Sequence, residues 1–217
     1  MTPPSPALGT RAIRIPVALL RLAVALLVLA AVVGTALDTA SRTPIVPVNF
    51  FGYFTIQGNI LLAIVLLITA AVTLAGRPQG PLLTLVRGAA TSWILVVGIV
   101  YNTLLIGTAG GVTLPWANTV LHVVFPIYGL LDWLLVADRP ALPWRRLWVV
   151  TVYPIVWLVV VLVRGATDGW VPYPFLDPAN GYGAVAIAVL IVAVAFVLSG
   201  ALVWALSRVR LIGDRPA

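Results

Sequence analysis

The sequence predicts an all-α fold, a polytopic membrane bundle of six transmembrane helices with both termini cytoplasmic. Three observations carry that expectation. Apolar residues make up 62% of the chain and charged residues only 9%, with a mean hydropathy of +1.12, whereas a soluble domain carries about 25% charged residues. Six apolar stretches come close to the roughly 20 helical residues that a bilayer core demands. The breaks between them hold Pro and Gly, which stop helices by steric clash and by loss of a hydrogen-bond donor. The chain reads as one six-span domain over residues 1–217.

The N-terminal segment MTPPSPALGTRAIRIP is Pro-rich and weakly basic. The apolar run over 13–37 that follows exceeds the core of a signal peptide, about 7–15 residues, so the first span, about 15–37, is expected to be kept. Span two is expected at about 50–75, after SRTPIVPVN, and span three at about 84–107, after GRPQGP. Span four, about 115–136, follows TAGGVTLP; span five, about 147–164, follows ADRPALPWRR. Span six, about 182–207, follows the long break GATDGWVPYPFLDPANG.

Orientation follows from the arginines. The 13 basic residues are all Arg, set against six Asp. Arg11, Arg14, Arg21, Arg77, Arg87, Arg139, Arg145, Arg146, Arg208, Arg210 and Arg215 fall on the side that holds both termini, whereas the other side has only Arg42 and Arg164. Positive charge marks the cytoplasmic face. Because these arginines sit in short loops and at span ends rather than in one basic stripe, nucleic acid is not an expected partner. Cysteine is absent, which removes disulfides, thiolate catalysis and Cys-based metal sites together.

His122 is the sole histidine, and it lies inside the apolar stretch 115–136. A titratable ring in lipid is costly, so its position points to function. Helical rise places it roughly 10 Å below the outer end of span four. The same arithmetic puts Thr55 about 8 Å deep in span two, Asn59 one turn below it, and Asn102 roughly 8 Å deep in span three. Thr55 and Asn59 share a helix face with Gly52 above them, and Asn118 and His122 share another. A polar pocket opening outward is expected, with Thr55, Asn59, Asn102, Asn118 and His122 as lining candidates. There, an imidazole would activate a threonine hydroxyl, and an asparagine amide would stabilise the oxyanion.

Each residue also has a plainer role. An intramembrane Thr ordinarily bonds the carbonyl one turn back, and Asn and His commonly join helices by hydrogen bonds. Asp132 lies near the cytoplasmic boundary, where a structural ion pair with Arg139, Arg145 or Arg146 is expected. Asp38, Asp168 and Asp177 fall in outer loops, from which one of them would orient the imidazole. The aromatic, Pro-rich loop 165–181 reads either as an interfacial belt or as a stiff lid over the pocket. One His without Cys or further Met partners implies no metal site and no cofactor.

The string Phe-Phe-Gly-Tyr-Phe-Thr-Ile-Gln-Gly-Asn at 50–59, His122-Val-Val-Phe-Pro126 with Asp132-Trp133, and Tyr173-Pro-Phe-Leu-Asp177 through Gly181-Tyr182 resemble a known six-span family. It is that of the androgen-induced membrane proteins, here in its bacterial branch. The resemblance implies an intramembrane threonine hydrolase of the bacterial plasma membrane. Characterised animal members cleave fatty acid esters of hydroxy fatty acids. Those roles fall on Thr55 as nucleophile and His122 as general base. The expected partners are membrane lipids and a lipid ester substrate, with no oligomeric state indicated. The rival readings are a small-molecule or proton-coupled transporter using His122 and a non-catalytic structural membrane protein.

Overall fold

The computed structural model describes residues 11–107, 113–209 and 211–212. Six helices are long and apolar enough to cross a membrane: Arg11–Ala40, Phe54–Leu74, Pro81–Leu105, Pro115–Leu135, Trp144–Thr167 and Tyr182–Leu206. We label the α-helical segments α1 (Arg11–Ala40), α2 (Pro47–Phe50), α3 (Phe54–Leu74), α4 (Pro81–Val100), α5 (Pro115–Thr119), α6 (Phe125–Leu135), α7 (Val149–Thr167) and α8 (Tyr182–Leu206). Among the described residues there is no strand, only an isolated bridge between Val136 and Ile212.

Helix ends follow local chemistry. Pro47, Pro81 and Pro115 open α2, α4 and α5, where a fixed φ helps and a missing N–H costs nothing. Beyond α3 and α7, Gly76 (φ 67°) and Gly169 (φ 72°) take the left-handed conformation that caps a helix without a Cβ clash. Span two begins later than expected. Its helix starts at Phe54 rather than near Phe50, because α2 and the turn 51–53 come first.

The packing is that of a protein whose solvent is lipid. Helix α4 touches α3, α6, α7 and α8 and buries the small residues Gly88, Ala89, Ala90, Ser92 and Gly98, which allow close approach of neighbouring helices. Large apolar side chains such as Ile155, Val159, Ile187, Leu190 and Leu198 point outward. A contiguous apolar exterior of this kind is uncommon on soluble monomers.

The polar groups lie inside. Arg21, Arg87, Asp132 and Asp138 form a buried four-membered cluster. Arg21 Nε reaches Asp132 at 2.8 Å and Arg21 Nη1 reaches Asp138 at 2.5 Å. Arg87 bonds Asp138 at 2.9 Å and also pairs with Asp132. Thr73 and Gln79 accept further hydrogen bonds from these arginines. Asp132 is thus ion-paired, but not to the arginines nearest in sequence. Arg145 and Arg146 are exposed, and Arg139 lies 4.1 Å over the Trp133 ring while donating to the Val136 and Leu206 carbonyls.

Two π-helical turns, Tyr101–Leu105 and Val120–Val124, interrupt spans three and four. The second has a clear cause. Pro126 has no N–H, so His122 O loses its helical donor, and Phe125 N–H bonds Val120 O rather than Leu121 O. Side-chain amides from neighbouring spans serve both carbonyls: Asn59 Nδ2 donates to Leu121 O (3.3 Å) and Asn102 Nδ2 to His122 O (3.1 Å). A Cβ on Gly98 would stand 2.9 Å from Pro126 Cβ and 3.4 Å from His122 O, so span three needs glycine here. Gly98→Leu is expected to destabilise the bundle by about 1–3 kcal/mol through overpacking. The check is the thermal midpoint of the detergent-solubilised protein; an unchanged midpoint would contradict the argument.

Candidate active site

Thr55 sits in the first turn of α3, half-buried. The chain enters this turn through Gly52, where an added Cβ would lie 2.5 Å from the Trp170 ring and 2.8 Å from the Val48 carbonyl. Trp157 Nε1 donates to Gly52 O at 2.8 Å. Gly52 therefore belongs to a pinned turn outside the helix and does not continue the Thr55–Asn59 face, as its spacing had suggested.

The Thr55 hydroxyl departs from the habit of its neighbours. Thr35, Thr39, Thr69, Thr84, Thr103, Thr119 and Thr167 all donate to the carbonyl four residues back. For Thr55 that carbonyl is Phe51 O, which instead receives Gln57 Nε2 at 2.6 Å. The hydroxyl turns to the Tyr173 phenol at 3.5 Å, and the same phenol oxygen accepts the Thr55 backbone N–H at 3.2 Å.

His122 is held by its own helix. Its Nδ1 lies 3.0 Å from Asn118 O. A carbonyl only accepts, so Nδ1 carries a proton, and in the neutral ring Nε2 keeps a lone pair. The ring stacks on Tyr101, with centroids 3.7 Å apart and planes 21° apart. Asn118 Nδ2 donates to Tyr101 OH at 2.8 Å, which locks the stacked partner in turn.

The orienting group is thus a backbone carbonyl rather than an outer-loop aspartate. Asp38 pairs with Arg42 and accepts from Thr113, while Asp168 accepts from Arg164 and the Trp170 N–H. Hydrogen bonds from Arg164 and the Trp170 N–H hold the Asp168 carboxyl below the usual carboxylate range. Asp177 accepts the Ala179 N–H as a helix cap.

Thr55, Asn118 and His122 line one partly open chamber of about 900 Å³, bordered by Pro44, Val46 and the 170–174 segment. Asn59 and Asn102 do not line it. The two protons of Asn59 Nδ2 go to Thr55 O (2.8 Å) and Leu121 O (3.3 Å), and those of Asn102 Nδ2 go to Gly98 O (2.8 Å) and His122 O (3.1 Å). Both are interhelical fasteners, and neither has a donor left for an oxyanion. Asn59 nonetheless joins the two candidates, because one amide nitrogen touches the carbonyls of Thr55 and of the residue before His122. Thr55 and His122 themselves share a chamber without a direct hydrogen bond.

A second, narrower cavity of about 150 Å³ runs among apolar side chains including Phe54, Val97, Trp157, Val189 and Phe196. Thr55, Leu105 and Tyr173 line both cavities. Tyr173 is the site residue that sequence reasoning treated only as part of an aromatic loop. Its ring stands against Phe175, Tyr53 and Trp157, with centroids 5.4, 5.8 and 5.8 Å away. Arg164 lies 4.3 Å over Trp170 and donates to Asn49 at 2.7 Å, which fastens the loop across the chamber. No family model matches the chain, and no curated protein or solved structure is significantly similar to it.

Proposed function

We propose that this membrane protein is an intramembrane threonine hydrolase that cleaves a fatty acyl ester of a lipid, with Thr55 as nucleophile and His122 as general base. The observation that carries the reading is the position of Thr55. Its hydroxyl is free of the backbone and stands where a chamber holding His122, Asn118 and Tyr101 meets a narrower, almost wholly apolar slot. An ester with a long acyl chain has that same division, a polar carbonyl joined to a hydrocarbon tail. The resemblance to the androgen-induced membrane protein family agrees with this assignment of roles.

In this reading both termini are cytoplasmic and the chamber opens to the outer leaflet of a bacterial plasma membrane. The ester enters between helices, its tail in the slot and its carbonyl beside Thr55. Substrate displaces the hydroxyl from its long contact with Tyr173, and the Thr55–His122 hydrogen bond forms in the complex, as catalytic contacts often do. His122 Nε2, already the unprotonated nitrogen, takes the Thr55 proton and returns it to the leaving alcohol. Water from the chamber then hydrolyses the acyl-threonine by the same route.

The test is turnover of a long-chain ester, with covalent labelling by a fluorophosphonate probe, for wild type, Thr55→Ala and His122→Ala in detergent micelles. Thr55→Ala is expected to lose labelling and turnover. His122→Ala is expected to lose about 10²–10⁴-fold in rate, the usual contribution of a general base. Full activity in both folded variants would overturn the proposal.

A further inference from the structure

With Thr55 as nucleophile, the ester carbonyl oxygen becomes an oxyanion that needs a donor, and neither Asn59 nor Asn102 has one to give. Asn59 and Asn102 point both amide protons at backbone carbonyls, and Asn118 directs one of its two to the Tyr101 hydroxyl beside His122. The Tyr173 phenol is differently placed. Its oxygen accepts the Thr55 N–H at 3.2 Å and stands 3.5 Å from Thr55 Oγ1, a contact in which either hydroxyl can donate. That contact is long for O–H···O, so it does not tie up the phenol proton in the resting site.

Two oxygens on one tetrahedral carbon lie closer together than a hydrogen bond is long. A donor 3.5 Å from Oγ1 is therefore within reach of an oxyanion that forms on the phenol side of Thr55, where such donors act at about 2.7–3.1 Å. Ring contacts with Phe175, Tyr53 and Trp157 fix the phenol before substrate arrives. Such preorganisation makes a donor effective. Accepting the Thr55 N–H also polarises the O–H bond, which strengthens its donation. Burial pushes the phenol up from its ordinary value, so it remains a proton donor at neutral pH.

We propose that Tyr173 is a catalytic residue, the oxyanion donor for attack by Thr55, so that the 168–181 loop completes the site rather than merely covering it. The inference rests on the nucleophile assignment above. Thr55 Oγ bonds the carbonyl carbon as its proton passes to His122 Nε2. The carbonyl π pair moves onto oxygen, where the Tyr173 O–H hydrogen-bonds it without transferring its proton. When the pair returns, the carbon–alkoxy bond breaks, and the alkoxy oxygen takes the proton from His122. Deacylation repeats the sequence with water as nucleophile and Thr55 Oγ as leaving group.

The decisive variant is Tyr173→Phe, which keeps the ring and its packing. Turnover is measured on a long-chain ester and on its thionoester, whose sulfur is a poor hydrogen-bond acceptor. For the ester, kcat is expected to fall about 10²–10³-fold, the loss seen when one oxyanion donor is removed, with KM little changed. Preference for ester over thionoester should shrink by a similar factor, a change that a packing defect would not produce. Replacing Tyr173 with 3-fluorotyrosine keeps the fold and makes the hydroxyl a stronger donor, so kcat on the ester should rise. If Thr55→Ala is inactive while both Tyr173 replacements keep the wild-type kcat and preference, the oxyanion role is wrong and the nucleophile assignment survives. Wild-type turnover by Thr55→Ala would instead remove the nucleophile, and this proposal with it.

Discussion

Asp132→Ala is expected to destabilise the protein by about 3–5 kcal/mol, the cost of leaving a buried charge without its partner. The cluster holds two arginines and two aspartates, all at most 7% exposed, and each carboxylate bonds both guanidinium groups. Removing Asp132 leaves one carboxylate to neutralise two cations where water does not reach. Arg21 comes from α1, Arg87 from α4, Asp132 from α6 and Asp138 from the loop after it, so the damage spreads over three spans. Deleting a matched pair should be far milder. Arg21→Leu with Asp132→Leu keeps the Arg87–Asp138 bond and removes one charge of each sign, and apolar replacement of a buried pair is often neutral or better. The measurement is the thermal midpoint of both variants in one detergent. A single variant no less stable than the double would sink the argument.

The same cluster sets the response to acid. Burial alone would raise the Asp138 carboxyl, but Arg87 and Arg21 outweigh it and hold the group well below the usual carboxylate range. A carboxyl lowered by folding adds stability that is complete above its ordinary value of 3.8. That stability drains away as the pH falls through the lower folded value. The Asp138 contribution is therefore constant across neutral pH and is lost only in strong acid.

Much of this was legible in the sequence because bilayer thickness imposes a length and a composition on every span. Pro47, Pro81 and Pro115 mark helix starts by backbone chemistry alone. Partner choice was not legible. Arg21 is the charge inside the expected first span, and its partners lie 111 and 117 residues away, a separation that no local pattern encodes. Depth arithmetic brought Asn59 and Asn102 level with His122, yet depth says nothing of direction. Asn102 faces the carbonyl that Pro126 leaves bare and Asn59 the one beside it, and the missing proline donor is a sequence-level clue that spacing arguments pass over. Tyr173 was hidden for a related reason. An aromatic loop at a membrane surface looks like an interfacial belt until its one inward phenol is found on Thr55.

The second large effect concerns the apolar slot. Ala193 on α8 lines it and is itself exposed, so Ala193→Trp fills the slot from its lipid side without crowding the buried core. Lipid tails are as apolar as the slot walls, and burial there supplies no driving force of the kind found in water. The slot acts by shape, holding the tail so that the carbonyl stands beside Thr55. With the slot filled, a long-chain ester should lose at least about 100-fold in kcat/KM, the loss that follows a misplacement of about 1 Å at a reacting centre. A short-chain ester, whose tail never enters the slot, should keep nearly the wild-type rate, because Thr55, His122 and Tyr173 are untouched. The contrast between the two esters is the measurement. Equal losses on both would mean that the cavity beside Thr55 holds no acyl chain, whereas a loss confined to the long ester ties chain-length selection to the space between α3, α4, α7 and α8.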